Sequence, residues 1–267
     1  MKMYMSVFRI RFIYSMQYRA AMIGDILARF IWGFMEILAY IALYRSEAFS
    51  FPMELSQTVS YIWIQQTFYI LFSVVFQDSE MYSAIESGAI AYELVRPMDL
   101  YSRWFCQSAG NRLAYTVVVC LPALLIALIL PEPFRMSLPL DIGRFCLFLI
   151  SLALAFGVVV AFAMIMYVSL FYIVSQRGIK IIVTAITTFL SGGIIPLPFF
   201  PKAILKLVNL LPFAAMQNIP LLIYSGNIAG AEAIRGILLQ VFWLISLIVA
   251  GKLAMRQALK KVVVQGG

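Results

Sequence analysis

The chain contains no histidine, few charges and only three cysteines. Without histidine there is no imidazole general base, no serine or cysteine triad built on one, and no histidine metal ligand. Cys106, Cys120 and Cys146 stand far apart in apolar sequence, so they form no redox or metal pattern and read as small packing residues. No P-loop of the form GxxxxGK[ST] occurs, so the chain cannot itself bind and hydrolyse ATP in that way. Nor does the N-terminus read as a cleaved leader, because Lys2, Arg9, Arg11 and Arg19 interrupt its apolar residues. Charged residues make up 12% of the 267, against 63% hydrophobic. A soluble domain carries about 25% charged residues. With a mean hydropathy of +0.95, this chain cannot clothe a water-facing surface and is expected to lie in a membrane.

The net charge is +8. Its basic residues are scattered rather than clustered, which argues against nucleic acid and for loop charges beside a bilayer. Measured against the roughly 20 residues that cross a bilayer, charge-poor runs give six expected helical spans, at 24–44, 57–77, 110–130, 144–175, 179–195 and 233–255. Helices are expected because they satisfy their own backbone in lipid. Lysines and arginines number thirteen on the side of both termini and six on the other, which predicts cytoplasmic termini. Residues 2–22 mix basic, aromatic and apolar side chains, as in a helix lying along the inner interface. At 100° per residue, though, Arg11 falls opposite Lys2 and Arg9. Between the last two spans, Pro196, Pro198, Pro201, Pro212 and Pro220 break an apolar stretch repeatedly. The segment 196–226 is therefore expected as short re-entrant helices on the outer side.

One inner loop, 78–104, is long and holds five of the chain's twelve acidic residues. Ser79 to Glu86 has helix-forming character, and Ala89 to Val95 can form a second short turn stopped by Arg96-Pro97. Ile85, Ile90, Tyr92 and Leu94 are its expected apolar knobs. Such a loop either docks a soluble partner or merely joins two spans. Its residues Gly88, Ile90, Tyr92, Leu94, Arg96, Pro97, Met98 and Asp99 spell G-x-I-x-Y-x-L-x-R-P-M-D. This motif resembles the cytoplasmic coupling loop of type-2 ABC exporter permeases, most closely a small branch with R-P-M/L-D.

That resemblance implies an all-α permease domain over the whole chain, its coupling helix between spans two and three. It implies Glu86, Gly88, Ile90, Tyr92, Leu94, Arg96 and Pro97 in coupling to two copies of an ABC ATPase, which would hold the ATP and Mg. It also implies a second permease subunit, identical or homologous, in the cell membrane. Resembling exporters build a central cavity from the second and fifth spans, which nominates Gln65, Gln66 and Tyr69 with Thr184, Thr187 and Thr188. Helix–helix hydrogen bonding is the competing use of such residues. Asp25, Arg29 and Glu36 lie within one sector of the first span. Such intramembrane charges turn toward protein or water, either to hold the fold or to line a path. The expected function is outward movement of an amphipathic drug, lipid or peptide, with no catalytic residue and no cofactor in this chain. The alternative is a scaffold or sensory subunit that docks a soluble protein through 78–104.

Overall fold

The structure is a computed structural model. It describes residues 2–17, 19–46, 51–76, 79–139, 141–173 and 176–260, with the backbone alone at 19–22, 79, 86 and 176. Every regular element among these residues is helical. In chain order they are α1 (Lys2–Ser15), α2 (Arg19–Arg45), α3 (Leu55–Thr67), α4 (Tyr69–Phe72), α5 (Ser79–Glu86), α6 (Ile90–Leu94), α7 (Leu100–Ile129), α8 (Ile142–Ser169), α9 (Gln176–Leu190), α10 (Lys202–Val208), α11 (Ile219–Ser225) and α12 (Gly230–Leu259). Short polar side chains set the starts of α7 and α8. Asp99 accepts from the Ser102 backbone and hydroxyl at 2.9 and 2.6 Å, and Asp141 accepts from the Gly143 and Arg144 amides at 3.1 and 3.0 Å. Glu54 and Gln57 form a reciprocal capping box on α3.

Among the described residues four helices are long and apolar enough to cross a membrane: Ile23–Arg45, Leu100–Ile129, Ile142–Ser169 and Gly230–Leu259. They correspond to the first, third, fourth and sixth expected spans. Large apolar side chains at Ile23, Leu27, Ile31, Trp32, Met35 and Leu38 face outward along α2, a surface that suits lipid. The expected second and fifth spans are shorter. The second breaks at Phe68 and stops at Phe72. Across the core, the guanidinium of Arg112 donates to the carbonyls of Ser73 and Val74 and, at 3.0 Å, to the hydroxyl of Ser108. A buried cation thus satisfies the carbonyls where the helix ends. The fifth, α9, runs 15 residues, about 22 Å at the usual rise per residue, and ends before Gly192, whose φ is +85°.

The third expected span begins ten residues early, so Leu100 to Trp104 are helix rather than loop. Helix α1 packs beside this extension. Tyr4 Oη accepts from the Asp99 amide and the Ser15 hydroxyl donates to Asn111, both at 3.1 Å. The two helices therefore run in the same direction for about three turns. Gly110 permits the approach, since a Cβ there would stand 2.8 Å from the Phe8 carbonyl oxygen. Of the expected interfacial stretch 2–22, α1 covers residues 2–15, and residue 18 lies outside the described residues.

The proline-broken segment folds into the protein. Its α11 is buried from Ile219 to Tyr224 and packs on α8 and α3. Ahead of it, Ala214–Asn218 is π-helical. Gln240 of α12 donates to the Ala215 and Ser151 carbonyls at 3.0 and 3.1 Å, and Trp243 donates to the Leu210 carbonyl at 3.0 Å. The bonds to Ala215 and Leu210 give partners to backbone in the proline-broken segment.

Candidate functional site

Two regions gather the residues singled out by sequence. The first is the loop. Gly88, at φ +72°, turns the chain between α5 and α6, a conformation that costs glycine little. Ile90, expected as an outward knob, is 3% exposed and anchors α6 in the core. The outward apolar surface is instead Tyr92, Leu94 and Val95, with Tyr92 and Val95 exposed by 80% and 84%. Val95 was missed by periodicity because it sits at the end of α6, where the helix releases its side chain. Arg96 and Pro97 are exposed beside it. The side chain of Glu86 lies outside the described residues, as does Asp78, where the expected loop begins.

Charge pairs tie this loop to its neighbours. Glu93 of α6 meets Arg103 of α7, and Arg11 of α1 meets Glu80 of α5 at 2.5 Å. Gln107 adds a 3.2 Å hydrogen bond to Glu80. The placement of Arg11 away from Lys2 and Arg9 thus has a cause: it faces the loop. The Arg11 hydrogen bond holds the Glu80 carboxyl below its ordinary value despite partial burial. Partial burial pushes the Asp99 carboxyl up, but its two Ser102 hydrogen bonds outweigh that and leave it low.

The second region is a narrow cleft between α3, α4 and α9. Gln65, Tyr69, Thr184, Thr187 and Thr188 all line it, with Ser191 and Gln217. Among the described residues its walls carry no charge. The Gln65 amide donates to the Gly193 carbonyl at 3.1 Å, and the Ser191 hydroxyl donates to Gln217 at 3.4 Å. Gln65 Oε1 and Gln217 Nε2 have no hydrogen-bond partner among the described residues. Of the six nominated residues, Gln66 alone is not in the cleft. It turns toward α2 and donates to Glu36 at 3.2 Å. Gln217 and Ser191 were not nominated, because they belong to a stretch where proline masks any helical period. A polar side chain within apolar, proline-broken sequence was the available signal.

Arg29 and Glu36 of α2 turn toward protein. The Arg29 guanidinium lies 3.7 Å over the Tyr69 ring, a favourable cation–π placement. Glu36 takes the Gln66 bond. Asp25 and Arg29 do not pair among the described residues, where the ion pairs are Arg11–Glu80, Arg96–Glu93 and Arg103–Glu93.

No curated protein and no solved structure matches the chain. The family model described as ABC-2 family transporter protein matches residues 30–266, which include both the loop and the cleft. Membership carries an expectation of partnership with an ABC ATPase in general. With apolar helices long enough to cross a bilayer and a family match over most of its length, the chain is a membrane protein that belongs to the ABC-2 transporter family.

Proposed function

We propose that the chain is the membrane-spanning permease subunit of an ATP-driven exporter in the cell membrane. It pairs with a second permease, identical or homologous, and with two ATPase subunits that hold ATP and Mg. Closure of the ATPases pushes the 78–104 loop, and the push shifts the cleft between α3, α4 and α9 from inward to outward access. The substrate is amphipathic: a drug, a lipid or a peptide. All six apolar segments take part in spanning, the shorter two inside the assembly, with both termini cytoplasmic and α10 and α11 in the outer half. The single observation that carries this reading is the outward apolar surface of Tyr92, Leu94 and Val95, held against α7 by the Glu93–Arg103 pair.

The test is purification of the full chain from its native membrane, with mass spectrometry of what remains bound and ATP hydrolysis measured in proteoliposomes. An ABC ATPase is expected with the wild type. Leu94→Glu is expected to insert normally and to lose the ATPase at least about tenfold, since it sets a charge in the apolar contact. A wild type that carries a soluble protein without ATPase activity turns the reading to a docking scaffold. Full ATPase retention by Leu94→Glu removes the coupling role from this loop.

A further inference from the structure

An open polar pocket lies where α1, α5, α6 and α7 meet. Its polar walls are Arg11, Glu80, Glu93, Arg96, Arg103 and Gln107. Among the described residues three guanidinium groups face two carboxylates, so one positive charge is left over. Both carboxylates are already engaged, Glu80 by Arg11 and Gln107 and Glu93 by Arg103. Arg96 stands 3.8 Å from Glu93, the far limit of an ion pair, and its side chain is 58% exposed. Arg103 is 6% exposed, yet its Nη1 has no hydrogen-bond acceptor among the described residues. A buried guanidinium N–H without an acceptor is costly. The pocket is short of one anion.

The chemistry of that anion follows from the donors. Planar guanidinium forks match the paired oxygens of a phosphate, with charge-assisted hydrogen bonds. A phosphodiester carries a single negative charge, which balances the surplus. Helix α1 adds a second feature. Met3, Ile10 and Tyr14 are exposed and lie roughly 60–100° round the helix from Arg11. An acyl chain attached to a phosphate in the pocket would find this apolar flank beside it. Basic pockets at the ends of membrane helices hold anionic headgroups in this manner.

We propose that this pocket binds a phosphate group, supplied by the headgroup of an anionic phospholipid, and that the bound lipid joins α1 and the 79–99 loop to α7. The site stands on its own residues and does not require that the chain transport anything, so its failure and that of the exporter reading are separable.

The test uses the purified full chain in nanodiscs, without ATPase. One sample holds phosphatidylcholine alone, a second includes phosphatidylglycerol, and a third holds phosphatidylcholine with added inorganic phosphate. The readouts are the melting temperature and the lipid retained in native mass spectrometry. Phosphatidylglycerol is expected to raise the melting temperature and to be retained, with Arg96→Gln weakening retention about tenfold through loss of one charge-assisted contact. Arg96 is exposed, so this variant folds even if Arg103→Gln does not. Arg9→Gln, on the exposed side of α1, is expected to keep wild-type retention. An equal shift from inorganic phosphate supports the phosphate site and assigns it to the free ion. No response to either phosphate source overturns the proposal, as does retention unchanged in Arg96→Gln or equally reduced in Arg9→Gln.

Discussion

Arg11 illustrates how a single side chain reads differently in sequence and in space. On a helical wheel it spoils the amphipathic pattern of residues 2–22. In three dimensions it is the residue that reaches Glu80 at 2.5 Å. The consequence is a pH dependence with a definite sign. Glu80 has a folded-state carboxyl held below its ordinary value of 4.5. A depressed carboxyl stabilises fully above that ordinary value, and its contribution fades as pH falls through the folded-state value. Because the Glu80 side chain is more than half exposed, the effect is modest and salt-sensitive. Melting curves of the wild type and of Glu80→Gln, taken from neutral pH down through the carboxylate range, are expected to converge on the acid side. Parallel curves would mean that the Arg11–Glu80 pair contributes nothing. Asp99, held low by Ser102, has the same sign and remains in both proteins.

At the scale of elements, the α1–α7 contact makes a sharp prediction. Gly110 faces the Phe8 carbonyl oxygen, which is backbone and cannot swing aside. Gly110→Val is therefore expected to push α1 off α7, at a cost of about 1–3 kcal/mol typical of overpacking. The Ser15–Asn111 contact supplies the measurement. With the native cysteines replaced by serine, a Ser15→Cys, Asn111→Cys pair should cross-link on oxidation, and adding Gly110→Val should abolish the cross-link. Efficient cross-linking in the presence of valine would refute the packing.

The long elements were legible because charge-poor apolar runs of bilayer length stand out in sequence. The short ones were not. The end of the second span at Phe72 is held by Arg112, 38 residues beyond Val74 and invisible to any local window. The start of α7 at Leu100 hides in the loop because Arg103, which pairs with Glu93, looks like a solvated charge. In the cleft, Gln65, Tyr69 and the three threonines were legible because hydrogen-bonding side chains stand out in apolar helices. Gln217 was obscured by the prolines around it. Ile90 misled for the opposite reason: alternating apolar residues on a five-residue helix do not say which ones face the core.

At the scale of the whole molecule, the helix ends sort into two groups. One holds α5, α6, the start of α7 and the end of α12, where Lys252 lies 6.0 Å over Tyr101. The other brings together Pro52 with Asn227 and Trp63 with Phe134, through hydrogen bonds of 3.3 and 2.8 Å. In the proposed orientation the first group, with its excess of basic residues, lies on the cytoplasmic side, as the positive-inside rule favours. A membrane-impermeant thiol reagent applied to intact cells should label Asn227→Cys and leave Tyr92→Cys untouched. The reverse pattern would invert the molecule and remove the loop from any cytoplasmic partner.

The bonds from Gln240 to Ala215 and Ser151 have a meaning for biosynthesis as well. The proline-broken stretch leaves the ribosome about 25 residues before the side chain that completes it. At typical elongation rates of about 5–20 residues per second, its open carbonyls wait roughly one to five seconds for α12. During that interval they need water or the insertion machinery rather than lipid. In the proposed placement of this segment in the outer half of the bilayer, the last helix is therefore a closing piece, and a nascent chain that stalls before Gln240 leaves those carbonyls without their partner.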